Sequence, residues 1–104
     1  MTSVFKGYIL GKLDQIDEAL LTVDRGLEIL EQICGGKTED YATMLGAKVK
    51  IFERNNLFDE ALKTISQELE IFKNTTGENT KEYARALKRR TEILSRRDSF
   101  QEEF

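Results

Sequence analysis

The sequence predicts an all-α protein assembled from helix-turn-helix repeats. Three observations support this fold class: a composition that favours helices, a segment that recurs after 42 residues, and apolar side chains that recur every three or four positions. Proline is absent from the 104 residues, and charged residues make up 34% of them, which is typical of a folded helical protein and not of a disordered one. A chain of this length predicts one domain, spanning 1–104.

The repeat becomes visible when the chain is compared with itself after a shift of 42 residues. Over 15–35, nine of 21 residues are identical to their counterparts. The longest match sets Asp17-Glu18-Ala19-Leu20 on Asp59-Glu60-Ala61-Leu62, and a later one sets Tyr41-Ala42 on Tyr83-Ala84. Self-similarity at a fixed period of this length is the signature of stacked structural repeats.

Five helices follow from the apolar spacing, taken in chain order. Each full period supplies two amphipathic helices, but the first helix of the first repeat is cut short near Met1 and the second helix of the third repeat stops at Phe104. In the third, the apolar residues Tyr41, Leu45, Val49 and Phe52 recur at intervals of three or four and form one face. The predicted spans are 3–13, 16–34, 38–55, 58–74 and 80–98.

Tight turns within the repeats are predicted at Asp14, Asn56 and Asp98, which are equivalent under the 42-residue shift. Asn and Asp tolerate the left-handed backbone that the C-terminus of a helix commonly needs. Each of these turns is expected to separate the two helices of one repeat.

The connections between repeats carry glycine instead. Gly35 and Gly77 are equivalent, and each is expected to end the second helix of its repeat. Asn79 or Thr80 is expected to cap the next helix, and Asn79 with Glu82 resembles a capping box.

Several of these residues carry a family resemblance that covers nearly the whole chain. They are Tyr41-Ala42, Leu45, Ile51-Phe52, Asn56, Phe58-Asp59-Glu60-Ala61, Leu69-Glu70-Ile71 and Gly77. In this pattern the chain resembles the tetratricopeptide repeat (TPR) family, in the longer 42-residue form found in kinesin light chains. The resemblance implies antiparallel helix pairs stacked as a right-handed α-solenoid, with repeats at 1–35, 36–77 and 78–104.

The chain also departs from the family pattern in two places. Seven residues after the alanine that corresponds to Ala19 and Ala61, the family usually has a small residue. This chain has Gly26 there in one repeat but Glu68 in the next. Looser packing is therefore expected at Glu68. The asparagine pair that holds ligand backbone in kinesin light chains is replaced by Gly46-Ala47 and Lys88-Arg89, so the ligand is expected to differ.

Catalytic and metal-binding chemistry finds little support in the residue types. Histidine is absent, and the single cysteine, Cys34, lies in an apolar run, which predicts a buried packing role. The carboxylates of Asp17-Glu18 and Asp59-Glu60 fall in the first turns of predicted helices, where negative charge interacts favourably with the helix dipole. Zinc spacing and calcium-loop spacing are both absent from the sequence. We expect a protein that is not an enzyme and has neither metal nor cofactor.

Ligand binding is the function that the resemblance implies, because in this family the first helix of each repeat lines a concave groove. Carried over to this sequence, the groove would hold Tyr8 of the first helix, Thr43, Gly46, Ala47, Lys50 and Arg54 of the third, and Arg85, Lys88, Arg89 and Arg96 of the fifth. Residues 81–97 carry seven Lys or Arg against two Glu. The expected partner is a protein or peptide with acidic residues and an apolar anchor.

Three alternatives to a basic ligand groove remain open. Lys88, Arg89 and Arg90 could form a solvated helix face. The fifth helix could bind nucleic acid, although the net charge of −3 counts against this. Exposed repeat edges could drive self-association through Ile9 and Leu10 at one end and Phe100 and Phe104 at the other.

The sequence also predicts a location. One unpaired cysteine and no signal-peptide pattern predict the cytoplasm. Apolar runs are far shorter than the roughly 18 residues of a membrane-spanning helix, so no contact with a membrane is expected.

Overall fold

The structure is a computed structural model that describes the backbone of residues 2–102 and the side chains of residues 15–100. Four helices make up the described chain: α1 (Thr2–Cys34), α2 (Glu39–Arg54), α3 (Phe58–Asn74) and α4 (Lys81–Glu102). No strand occurs within 2–102. The prediction of an all-α fold is confirmed.

The prediction of five helices is wrong, because α1 runs without a break through Asp14. Likewise α4 continues past Asp98 as far as Glu102. The reason lies beside the two aspartates. At the turn that does form, the amide of Asn55 donates to the carbonyl oxygen of Ile51 at 2.7 Å. The equivalent positions hold Leu13 and Arg97, which have no such amide and favour helix.

The predicted turn at Asn56, between α2 and α3, is confirmed. Asn56 has φ of 60°, the left-handed conformation that asparagine tolerates. The N–H of Leu57 donates to the carbonyl oxygen of Phe52 at 2.9 Å, and the N–H of Asn56 to that of Glu53 at 3.1 Å. These bonds satisfy carbonyls that the end of α2 leaves without helical partners, and they turn the chain directly into α3.

Glycines end α1 and α3, as predicted. Gly35 has φ of 88° and Gly77 of 96°, and the N–H of Gly77 donates to the carbonyl oxygen of Phe72 at 2.7 Å. The helices that follow begin at threonines. Thr38 Oγ1 accepts from the N–H of Tyr41 at 3.3 Å, and Thr80 Oγ1 accepts from that of Tyr83 at 3.2 Å. Of the two candidate caps for α4, Thr80 and not Asn79 therefore makes the N-cap bond.

The core lies where α2, α3 and α4 meet. Each helix packs mainly on its neighbours in sequence, α1 on α2, α2 on α3 and α3 on α4. The buried residues of the core are Val49, Phe52, Phe58, Ala61, Ile65, Ala86 and Ile93. Ala61 is fully buried, which agrees with its predicted role at a close helix contact. Its equivalent Ala19 is only partly buried, because α1 has a neighbour on one side alone.

The same one-sided packing of α1 overturns the prediction for Cys34. The residue is exposed, and its neighbour Ile33 is 75% exposed. Its Sγ donates to the carbonyl oxygen of Leu30 at 3.3 Å and lies 3.7 Å from Thr38 Oγ1. An apolar run at the end of α1 therefore does not bury the thiol, because no helix covers that face.

The edges proposed for self-association are only partly described. Phe100 packs edge-on against the ring of Phe58, with 5.7 Å between ring centroids and 64° between ring planes. The side chains of Ile9 and Leu10 and all of Phe104 lie outside the described residues. Among the described helices, none is long and apolar enough to cross a membrane.

Candidate functional site

A groove of about 330 Å³ lies between α2 and α4, with α3 beneath it. From α2 it is lined by Thr43, Gly46, Ala47 and Lys50. From α4 it is lined by Glu82, Arg85, Ala86 and Arg89, and its floor holds Glu68 and Phe72 of α3. The groove thus combines small residues, one aromatic ring, three cationic side chains and two carboxylates.

Gly46 sets the depth of the groove. A Cβ added to this glycine would lie 2.8 Å from Glu68 Oε2 and 3.5 Å from Arg89 Nη1. The absence of a side chain on α2 therefore gives room to the carboxylate of α3 and to the guanidinium of α4. One glycine lets charged groups from two other helices meet beneath the groove.

Glu68 is the unusual residue of the floor, because its side chain is buried although it is charged. Its Oε1 lies 3.6 Å from Arg89 Nη1, close enough for an ion pair. Among the described residues that oxygen has no hydrogen-bond donor. Burial raises the pKa of Glu68 above its usual value, and the positive charges of Arg89 and Lys50 oppose this rise. The carboxylate is held in place by charge and shape together.

Three of the residues expected to bind a partner come together in this groove, namely Lys50, Arg85 and Arg89. Thr43, Gly46 and Ala47 accompany them as the resemblance implied. Arg89 is partly neutralised by Glu68. Within residues 15–100, neither Lys50 nor Arg85 has a carboxylate oxygen within 4.0 Å of its charged nitrogens. Lys50 still acts on Glu68 through its charge, and Glu82 lines the groove with Arg85, so three cations and two carboxylates leave the groove a small excess of positive charge.

Three other predicted binding residues, Arg54, Lys88 and Arg96, do not line the groove. Lys88 has a largely exposed side chain and lies 4.0 Å from Glu92 on its own helix. Arg96 donates to Glu53 Oε1 at 2.9 Å and so ties α4 to α2. Arg54 is exposed at the end of α2. The side chain of Tyr8 lies outside the described residues. Whether Lys50, Arg85 and Arg89, or any of these four residues, bind a partner stays a prediction.

Glu68, Phe72 and Glu82 also line the groove, although the repeat pattern does not predict them there. Phe72 has the helical spacing of an ordinary core residue, so nothing in its pattern marks it. For Glu68 a signal was present, since it replaces the small residue expected at that position and the chain places a glycine at Gly46. The large Glu68 and the small Gly46 compensate for each other across facing helices. Such compensation can be recognised only when it is known that the two residues face each other.

The chemistry available to the groove is binding of acidic groups. Lys and Arg side chains donate charge-assisted hydrogen bonds to carboxylates, and Ala47, which is exposed, offers apolar contact at the groove surface. Among the described residues, no group of three or more His, Cys, Asp or Glu is placed to hold a metal ion. The groove has the mixed polar and apolar lining of a recognition surface.

Comparison with known proteins adds no identification. No protein-family model matches the chain, no curated protein matches it significantly, and no solved structure does so. The likeness to tetratricopeptide repeats therefore stays a prediction that depends on the residues named above.

Proposed function

We propose that this chain is a non-catalytic, TPR-like scaffold that binds an acidic segment of a partner protein in the groove between α2 and α4. The observation that carries the proposal is the placement of Lys50 and Arg85 on opposite walls of that groove, each without an ion pair among residues 15–100. Two cations facing each other across small residues suit a peptide that carries carboxylates.

The repeat supports the scaffold part of the proposal. Helices α2 and α3 form an antiparallel pair around the Asn56 turn, and neighbouring helices pack in sequence order. Each helix pair in a stacked array covers one side of its neighbour and leaves a groove on the other. A right-handed α-solenoid built from 1–35, 36–77 and 78–104 as one cytoplasmic domain is the arrangement that we propose.

Apolar contact adds to the electrostatic part. Phe72 is 3% exposed and Ala86 is 1% exposed, so the groove can admit an apolar side chain only near its surface, beside Ala47. Most of the affinity is therefore expected from the cations, and the partner should bind less tightly as salt screens them.

Nucleic acid is a weaker candidate for this surface. Several cations of α4 already face carboxylates: Arg89 faces Glu68, Arg96 faces Glu53, and Arg97 lies 3.5 Å from Asp59. Binding to a phosphate backbone depends on releasing counterions from clustered free cations. Residues held in ion pairs contribute less to that release. Retardation of a labelled duplex at physiological salt by wild-type protein would support this alternative instead.

The test uses peptides displayed on phage from a random library, selected against the full chain. The proposal predicts enrichment of Asp and Glu over the unselected library. Arg85→Glu should abolish that enrichment, because it reverses one wall of the groove. Lys88→Glu provides a matched control, since it makes the same change of charge three residues along the same helix but outside the groove.

Two results would contradict the proposal. Selected peptides without acidic enrichment would show that the groove does not read carboxylates. Equal loss of enrichment with Arg85→Glu and Lys88→Glu would show that the net charge of the protein selects the peptides and that the groove does not. For a selected peptide, isothermal titration calorimetry at two salt concentrations then measures the share of the affinity that screening removes.

A further inference from the structure

A second groove, of about 790 Å³, lies between α1 and α2 on the side away from α3. Its walls include Ala19, Thr22 and Ile29 of α1 and Met44, Ala47 and Ile51 of α2. Ile29 is 40% exposed, and Thr22 is exposed as well. The groove is therefore an open, largely apolar channel along two packed helices.

The 42-residue repeat shows what such a channel normally contains. The equivalents of Ala19, Thr22 and Ile51 are Ala61, Thr64 and Ile93, and these three are 0%, 7% and 0% exposed. They are buried because α2 covers α3 and α4 at that point. The same surface is thus present twice in the chain, once covered by a helix and once open.

The two threonines illustrate the equivalence. Thr22 Oγ1 donates to the carbonyl oxygen of Glu18 at 2.8 Å, and Thr64 Oγ1 donates to that of Glu60 at 2.9 Å. Both side chains satisfy their hydroxyl within their own helix. Neither hydroxyl therefore needs a partner from a neighbouring helix.

The chain contains a segment that matches the missing helix. Residues 2–13 stand 42 positions before 44–55, which comprise most of α2 and its C-cap Asn55. Lys6 and Ile9 are identical to their equivalents Lys48 and Ile51. This segment does not fold back along its own α1. It continues the same helix, which runs unbroken from Thr2 to Cys34, and so points away from the groove of its own chain.

We propose that residues 2–13 of a second copy of this chain occupy the groove between α1 and α2. The two α1 helices then run antiparallel around a two-fold axis near Gln15, and each copy covers the groove of the other. Such an exchange is reciprocal. The same contact, between residues 2–13 of one copy and the groove of the other, therefore forms twice in a closed dimer.

The size of the facing residues supports this pairing. Between α2 and α3, Gly46 faces Glu68, with 2.8 Å between an added Cβ and Glu68 Oε2. Shifted back by one repeat, the corresponding pair is Val4 and Gly26. A glycine again faces a larger residue, but the two have changed helices. A Cβ added to Gly26 would lie 3.0 Å from Met44 Cε, so the second copy approaches Gly26 where the flexible end of the Met44 side chain must shift.

The register also places Gln15, which is uncharged, beside its own copy at the axis, so no like charges meet there.

The oligomeric state of the full chain tests the inference by size-exclusion chromatography with light scattering at rising protein concentration. Wild-type protein is expected to reach the mass of two chains. Thr22→Lys should raise the dimer dissociation constant roughly a hundredfold, because it buries an unpaired charge. Val4→Lys should act equally from the other side of the contact. Neither substitution touches the α2–α4 groove.

Leu21→Lys is the matched control. Leu21 is 71% exposed and lies outside the groove, and its equivalent Lys63 stays exposed beside α2. This variant should dimerise as wild type does. A single-chain mass for wild type up to its solubility limit overturns the inference. So does a dimer that persists in both Thr22→Lys and Val4→Lys, or one that Leu21→Lys weakens as much as Thr22→Lys.

Discussion

Gly46 of α2 lies directly against the carboxylate of Glu68 on α3, with 2.8 Å between the position of an added Cβ and Glu68 Oε2. Position 68 corresponds to Gly26 in the first repeat but holds a glutamate. The small residue at this contact is instead Gly46, on the facing helix. Looser packing was expected where Glu68 replaces a small residue. The structure shows close packing instead, since Glu68 is 5% exposed.

This contact predicts that the effect of Gly46→Ala depends on residue 68. Alanine normally stabilises a helix interior by up to about 1 kcal/mol relative to glycine. Here its methyl group displaces a carboxylate held by Arg89, so we expect Gly46→Ala to cost about 1–2 kcal/mol. In a Glu68→Ala background the same change should stabilise the protein. Urea denaturation of the four proteins measures the coupling, and an equal effect of Gly46→Ala in both backgrounds would refute the contact.

Burial of Glu68 predicts a pH dependence of stability. Burial raises the pKa of this carboxyl above 4.5 in the folded protein, against the opposing charges of Arg89 and Lys50. The folded state then binds the proton more tightly than the unfolded state. Its contribution to stability is complete below pH 4.5 and declines as the pH rises through the raised pKa. Relative to Glu68→Gln, wild-type protein should therefore lose free energy of unfolding from acid to neutral pH.

Chemical denaturation at a series of pH values measures this difference between wild type and Glu68→Gln. Glu70→Gln is the control for removing one negative charge from α3, because Glu70 is exposed. A difference between wild type and Glu68→Gln that does not change with pH would contradict the assignment.

Full burial of Ala61 predicts strong destabilisation by a large charged residue. Ala61 is 0% exposed in the core between α2, α3 and α4. Ala61→Lys should cost about 3 kcal/mol or more, since it combines overpacking with burial of a charge. Ala84→Lys on the exposed face of α4 should stay within about 0.5 kcal/mol of wild type. Thermal unfolding followed by circular dichroism distinguishes the two.

The left-handed backbone at Asn56 predicts opposite outcomes for two small residues. With φ of 60°, Asn56→Ala should destabilise the α2–α3 turn by about 1 kcal/mol, whereas Asn56→Gly should be close to neutral. Both variants lose the 3.5 Å contact with Arg96 Nη2, so their difference isolates the backbone. Equal melting temperatures for the two variants would argue against this conformation in solution.

Much of the local structure could be predicted from residues near in sequence. Gly35, Gly77 and Asn56 end helices where their backbone preferences suggested, and Ala61 lies at a close contact. The predicted turns at Asp14 and Asp98 failed because one aspartate is a weak signal. At Asn56 the amide of Asn55 and a packed partner helix act together, and neither aspartate has both.

The candidate groove could be predicted less completely. Repeat register placed Lys50, Arg85 and Arg89 on one surface, but Lys88 and Arg96 point elsewhere. A helix turns by about 100° per residue, so the residues of a basic stretch point to different sides. The stretch alone does not show which of them face solvent and which face a carboxylate. Glu53 and Glu68, which hold Arg96 and Arg89, come from helices distant in sequence.

The amino-acid sequence by itself determined the helical class, the 42-residue period, the glycine helix ends and the turn at Asn56. These depend on backbone preferences and side-chain spacing within a few residues, so a short stretch of sequence is enough to predict them. Only the tertiary structure decided that α1 is one helix, that Cys34 is exposed and that Glu68 is buried against Gly46. Burial depends on which surfaces a neighbouring helix covers, and α1 has such a neighbour on one side while α3 has one on both.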